Sequence, residues 1–253
     1  MNKILINNNI LNNYKDNNIE IKDNKISFLS NGDYTLEYIS SSNINLNIEL
    51  KDNITIKLFI ISSDNNIKIN NNYNLNSNSN LIIYKFYYNK SISEEVFFNL
   101  NGTKSMLSYN FSSISKESEE YHIIVKHNNN SVTSRVSNKL IGLNKSHINM
   151  QIDSILDKGN IDCIMEQNSR ILTLGDVDAT IIPNMFIEED SVEARHGSVV
   201  GRIKPEDIFY LESRGITYEE AVSLIIKGLI FSNLVLDMEK RAMIFKIIQE
   251  LKP

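Results

Sequence analysis

The sequence predicts a mainly β protein that ends in a helical tail. Three observations carry this reading. Apolar and polar residues alternate with period two from about residue 20 to 200, the mark of strands with one buried face. The alternating runs recur roughly every 9–14 residues, with Asn, Ser, Gly or Asp between them. At residue 204 the apolar spacing changes to that of helices.

The series opens with "KISFLS" (25–30), "YTLEYI" (34–39), "NINLNIEL" (43–50) and "NITIKLFI" (53–60). It continues through "LIIYKFYYN" (81–89), "EVFFNL" (95–100), "SMLSYNF" (105–111), "YHIIVKH" (121–127) and "SVTSRVS" (131–137). "SHINMQI" (146–152), "IDCIMEQN" (161–168), "RILTLG" (170–175) and "PNMFIEE" (183–189) complete it. Such spacing suits a sandwich, a barrel or a β-helix, and periodicity does not choose among them. Three prolines and few Gly-rich hairpin dipeptides weaken the hairpin-dominated options, and no strict repeat stands out. In the tail, Pro205 stands at a first helical position with acids behind it, and Gly215 falls just past the end. Thr217 and Glu220 have capping-box spacing. Ala221, Leu224, Ile225, Gly228 and Leu229 fall at helical intervals, as do Met243, Ile244, Ile247, Ile248 and Leu251 in a last amphipathic helix.

With 253 residues, 42% of them hydrophobic, the chain is long enough for one large core. A net charge of -5 and the lack of any basic block argue against nucleic-acid binding. One cysteine, Cys163, excludes an internal disulfide framework and a Cys-based zinc site. The opening residues are too interrupted by Asn for a signal peptide, and no run approaches the roughly 18 apolar residues of a membrane span. The chain therefore reads as cytoplasmic and soluble. Of its 37 asparagines, 33 precede residue 151, which places them on the outward faces and turns of the β region.

No Gly-rich phosphate loop, helical two-His metal motif or nucleophile elbow occurs. Glu188, Glu189, Asp190 and Glu193 form an acidic run better read as a solvated strand end than as paired catalytic carboxylates. His122 and His127, five residues apart, face opposite sides of a strand, and both read as structural. Cys163 shares a strand face with Ile161 and Met165 and reads as a core thiol. His196 is different. In an extended 191–196 it joins Val192 and Ala194 on the less polar face at the strand's end, as a packed interface histidine or a metal ligand.

Three stretches resemble the SufB/SufD family of iron–sulfur cluster assembly proteins: "VKHNNNSVTSRVSNKLIG" (125–142), "GDVDATIIPNMFIEEDSVEARHGSVVGRI" (175–203) and "YLESRGITYEEAVSLIIKGLI" (210–230). The resemblance implies a right-handed parallel β-helix over 1–203 and a small helical region over 204–253 that docks an ATPase. It further implies a complex, cytoplasmic or in an organellar stroma, with the SufC ABC-type ATPase and a SufB-like paralogue or a second copy. There a transient iron–sulfur cluster forms at the subunit interface. His196 falls on the "HG" histidine of the SufD-like branch and is the expected iron or cluster ligand, with Glu193 in support. Tyr210, Leu211, Arg214, Gly215 and Leu224 are the expected docking residues for the ATPase. The family's scaffold cysteine falls near Asn168, which has no thiolate, and Ala194 stands where many SufD-like members carry a cysteine. Beginning almost directly with strands, the chain resembles a minimal member without the N-terminal helical segment of longer ones. The expected role is that of a non-enzymatic subunit, the ATPase activity residing in the partner. The alternatives are an adaptor whose His196 only packs an interface, a homodimeric scaffold acting with SufC alone, and a β-helix polysaccharide lyase or hydrolase. The absence of Trp argues against the last.

Overall fold

A computed structural model describes residues 2–7, 9–10, 16–38, 43–63, 66–88 and 90–251. The chain begins with β1 (Asn2–Asn7), β2 (Asn9–Ile10), β3 (Ile19–Lys22) and β4 (Lys25–Phe28). Next come β5 (Gly32–Tyr38), β6 (Asn43–Leu50), β7 (Thr55–Ser63), β8 (Asn66–Leu75), β9 (Asn80–Tyr88) and β10 (Ser91–Leu100). The last strands are β11 (Met106–Ser115), β12 (Ser118–His127), β13 (Thr133–Gly142), β14 (His147–Leu156), β15 (Cys163–Thr173), β16 (Asp178–Ile187) and β17 (Val192–Arg202). Helices α1 (Pro205–Glu212), α2 (Tyr218–Phe231) and α3 (Met238–Glu250) follow.

From β5 onward each strand pairs in parallel with the strand two places further on. One sheet therefore runs β17-β15-β13-β11-β9-β7-β5-β1-β2 and the other β16-β14-β12-β10-β8-β6-β4-β3 among the described residues. This is a parallel β-solenoid of about six turns. The coil length drifts, which hides the repeat: Asn66 pairs with Ser91, Ser91 with Ser118, Ser118 with His147 and His147 with Asp178, separations of 25, 27, 29 and 31 residues. The two runs expected at 161–168 and 170–175 are one strand, β15. Ser169, which looked like the break between them, faces inward and accepts a hydrogen bond from Asn138 Nδ2 at 2.9 Å. Ile39, the end of another expected strand, lies outside the described residues.

One corner of each coil carries a residue in the left-handed region: Asn53, Asn78, Lys104, Ser131 and Asp162, with φ of 54–62°. Their amides bond to the next coil, Asn53 N to Ser77 O at 2.9 Å and Asn78 N to Thr103 O at 2.9 Å. Asn adopts this conformation at little cost, which explains its place at the early corners. Outward-facing Asn side chains also bond from coil to coil, as Asn99 to Asn72 at 2.6 Å and Asn128 to Asn101 at 2.8 Å.

Inward rows of Ile, Leu, Tyr and Phe fill the space between the sheets, with Tyr73 stacked on Phe98 at 4.8 Å and Phe111 edge-on to Tyr121 at 4.8 Å. A charged cluster interrupts them. Lys85, fully buried, pairs with Glu94 from the opposite sheet and lies 4.2 Å from the Phe111 ring centroid. Burial pushes the Lys85 ammonium down against the pull of Glu94. Next to it, Glu119 accepts from the Ser113 hydroxyl at 2.7 Å.

The helices lie on the outer face of the longer sheet. Phe59, Ile61, Phe86, Ile114, Ile141 and Leu172 form a second core with Val222, Ile226, Ile230, Leu234, Ile244 and Ile248. The expected caps form: Pro205 opens α1, and Thr217 and Glu220 bond reciprocally at α2. The buried seam of α2 is Ala221, Val222, Ile226 and Ile230, turned from the expected stripe, so Leu224 is left 49% exposed. α2 is apolar on more than one side, and the shape of the sheet selects which side is covered. Met243, expected on the buried face of α3, is 38% exposed. Among the described residues no helix is long and apolar enough to cross a membrane.

Two outcomes follow from this packing. Asn233, just after α2, donates to Phe111 O at 2.7 Å and Ser137 O at 3.2 Å and ties the helices to the sheet. Asn233→Ala is expected to cost on the order of 1–3 kcal/mol in chemical denaturation and to speed amide exchange in α2 and α3. Burial holds the Glu119 carboxyl up at about 7, from an ordinary 4.5. Between those values the folded chain binds more protons than the unfolded one. The stability that this proton contributes is complete below pH 4.5 and is lost as pH rises through 7. Glu119→Gln should therefore match the parent near pH 4 and exceed it above pH 7, by on the order of 2–3 kcal/mol in denaturation series.

Candidate functional site

The last coil continues every inward row of the solenoid and then stops. In the β15–β17 register Cys163 pairs with Val192, Met165 with Ala194, Gln167 with His196, Ser169 with Ser198 and Ile171 with Val200. The β15 members of these pairs are buried and face inward. Paired residues of a parallel ladder point the same way, so Val192, Ala194, His196, Ser198 and Val200 face inward too. Since β17 ends its sheet, they form an open floor with Val200 44% exposed. On the outer sides of this coil Val199 is 57%, Phe186 54% and Ile182 41% exposed. His196 thus lies on the less polar face, as its neighbours predict. Two details of the expectation are corrected: it stands mid-strand in β17 rather than at the strand's end, and it is exposed because β17 ends its sheet among the described residues.

Beneath His196 the interior turns polar. Gln167, 3% exposed, spans the two sheets and donates through Nε2 to Ser154 Oγ at 2.8 Å and Asn184 O at 3.0 Å. The Asn184 amide in turn donates to Asp153 Oδ1 at 2.8 Å, and Asp153 Oδ2 meets His122 Nε2 at 2.7 Å. His122 Nδ1 lies 3.4 Å from Glu95. A chain of polar contacts therefore runs from the terminal coil to the outer face of the shorter sheet. Burial raises the Asp153 pKa, but hydrogen bonds from His122, Asn184 and Gln151 outweigh it and hold the carboxyl below its ordinary range. Sequence reasoning missed Gln167, Asn184 and Asp153. A signal was available for the first: Gln167 occupies an inward place in the alternation of Cys163, Met165, Ser169 and Ile171.

The outer face of β17 belongs to a different set of residues. Glu166 bridges Arg135 at 3.2 Å and Arg195, and the Arg195 hydrogen bond holds the Glu166 carboxyl below its usual range. Glu193 lies on this outer face, so within the chain it is not brought together with His196. Asn168 also faces outward, beside Lys139 Nζ at 3.4 Å. Cys163 is the buried core thiol expected, its pKa raised by burial, and it shares its face with Met165 but not with Ile161, which lies before β15 beyond the left-handed Asp162 and is exposed. Glu189 accepts from the amides of Gly159 and Asp190, both at 3.0 Å, so one member of the acidic run fastens a turn while Glu188, Asp190 and Glu193 are exposed. His127 is buried, its pKa pushed down to about 4 by desolvation. Among the described residues no three or more His, Cys, Asp or Glu side chains gather as a metal site.

A second exposed surface lies on the helices. α1 has no buried residue, Phe209 is 73% and Tyr210 58% exposed, and the Arg214 guanidinium lies 5.4 Å from the Tyr210 ring centroid. Leu211 is half-buried, while Gly215, at φ +84°, and Leu224 are exposed on the same helical layer.

The family model described as "SUF system FeS cluster assembly, SufBD core domain" matches residues 15–229. The chain belongs to this family. It is 47% identical over 66 residues to the iron–sulfur cluster assembly protein SufD of Bacillus subtilis, covering 25% of this chain and 15% of that protein. The SufD of Escherichia coli is 33% identical over 136 residues, covering 50% of this chain and 31% of its own length. An iron–sulfur cluster assembly SufBD family protein of Mycobacterium leprae is 42% identical over 64 residues, covering 25% and 16%. The matched segments thus span less than a third of these relatives. SufBD proteins form an assembly family rather than a known enzyme family.

The two polar systems of this SufBD chain should differ in weight. Asp153 is 8% exposed and accepts from three side chains, whereas Arg195 is exposed. Asp153→Ala should lower stability by on the order of 2–3 kcal/mol, whereas Arg195→Ala should leave the urea midpoint close to that of the parent.

Proposed function

We propose that this chain is a SufD-like subunit of a SUF iron–sulfur cluster assembly complex. Its terminal coil pairs with a SufB-like partner, and its helices dock the SufC ABC-type ATPase. The observation that carries the reading is His196 on the inward row of an uncovered last coil. The free edge of β17 is a template for another strand, and the apolar floor around it favours a partner that continues the core. An imidazole there presents a nitrogen lone pair to iron at the junction. Cys163 is buried one coil back, so thiolate ligands come from the partner. The iron–sulfur cluster is cargo, held by His196 together with partner groups while it forms.

Tyr210, Leu211, Arg214, Gly215 and Leu224 lie with Phe209 on the exposed helical layer, the surface a docked ATPase would cover. Movement of the ATPase would reach the solenoid through the second core, in which α2 and α3 share side chains with the longer sheet. Such a subunit works in the cytoplasm or an organellar stroma.

The decisive experiment is anaerobic, reducing co-expression with the cognate ABC ATPase and a Cys-bearing SufB-like paralogue, with complex mass read by light scattering. A complex containing all three is expected. His196→Ala and His196→Gln should both leave that mass unchanged and slow cluster formation at least about tenfold, followed by visible absorbance. Cluster formation at the parental rate in both variants would reduce His196 to a packing residue and the chain to an adaptor. A complex with the ATPase alone would point to a homodimer.

A further inference from the structure

Resting on the reading of His196 as an iron ligand, we propose that Gln167 is its positioning residue. A turn of the His196 ring would let the Gln167 side-chain oxygen, which bonds to no described residue here, accept the imidazole N–H, so that one tautomer is selected and the other ring nitrogen is left with its lone pair free.

The orientation of the Gln167 amide is set by its surroundings. Nε2 serves two acceptors, Ser154 Oγ at 2.8 Å and Asn184 O at 3.0 Å. Turning the amide over would set its oxygen against the Asn184 carbonyl, oxygen to oxygen, so the nitrogen stays where it is. Oε1 is thereby left buried with no hydrogen-bond partner among the described residues. A buried carbonyl oxygen without a donor costs free energy, and a nearby donor is favoured to fill it. Gln167 and His196 are register partners on adjacent strands of a parallel sheet, a separation of about 4.8 Å between strands. The other inward neighbours offer little. Val136, Met165 and Ile171 have no polar hydrogen, and the Asn138 amide and the Ser169 hydroxyl are engaged with each other. Arg195 is on the far side of the sheet with Glu166.

A neutral imidazole has one N–H to give. Donating it to Gln167 fixes the tautomer and restrains the ring, as outer-shell acceptors do for histidines that bind metals. The floor of the last coil is then preorganised before any partner arrives.

The test reads the ring itself, without iron. In the full chain labelled with ¹⁵N-histidine, in alkaline buffer where imidazoles are neutral, the two ring nitrogen shifts of His196 report its tautomer ratio. The His196→Gln spectrum assigns the signals, and His147, bonded to Asp178 at 3.0 Å on the outside, serves as control. One tautomer of His196 is expected in roughly tenfold excess. Gln167→Met, which keeps length but loses the acceptor, should bring the ratio within about threefold, while Gln167→Glu, which keeps an acceptor, should preserve the excess. If the Met variant does not fold, Gln167→Ser withdraws the acceptor by shortening and is read in the same way. An unchanged ratio in a folded Met or Ser variant would overturn the proposal. Because no iron is present, that result is separate from the fate of the His196→Ala assembly assay. A ratio that follows Gln167 beside normal assembly in His196→Ala would sink the ligand reading alone.

Discussion

The pairing of each strand with the strand two places further on governs everything else in this protein. Once that parallel register is set, the side of the sheet on which a residue lies is inherited down a row, coil after coil. Val136, Gln167 and His196 form one such row, and Asn138, Ser169 and Ser198 another. A row is buried only while a further coil covers it. The last coil therefore exposes, by construction, residues whose counterparts one strand earlier belong to the core. His196 owes its accessibility to this arithmetic of stacking rather than to a pocket.

The filling of the rows changes along the solenoid. Early and middle coils carry aliphatic and aromatic side chains, interrupted by Lys85 and Glu94, whose charges are taken from water and set against each other. Such a pair favours one arrangement more than it adds stability, because desolvation offsets most of the attraction. Towards the open end Asn138, Ser154, Gln167 and Ser169 replace the rings; Asn138 bonds to Ser169 within the longer sheet, and Gln167 joins the two sheets through Ser154 and Asn184 O. The helices complete the division of labour. They seal the outer face of the longer sheet through Phe59, Phe86, Ile141 and Leu172 and leave the edge of β17 open. A SufBD protein thus presents two surfaces of different character, one at the end of the solenoid and one on the helical layer.

Much of this was legible in the sequence. Period-two alternation reports one buried face per strand, Pro205 and the Thr217–Glu220 pair report helix starts, and all of these are local effects of backbone and side-chain geometry. The ordered stretches around His196 and Tyr210 carried the family resemblance, and with it the choice of a β-helix that periodicity left open. Other features were hidden. The repeat was masked because its corners differ in length from coil to coil. The run around Ser169 looked like a turn because a polar residue in an inward row is indistinguishable from a break until its partner, Asn138, is known.

What the amino-acid order determined by itself is alternation, caps and turn chemistry, each a matter of a few neighbouring residues. Which side of α2 is buried, why the Gln167 oxygen has no hydrogen-bond partner among the described residues and why His196 is exposed were decided only when strands about 30 residues apart were brought together. The physical reason is that burial and hydrogen-bond satisfaction belong to neighbours in space. In a solenoid those neighbours lie one coil away in the chain.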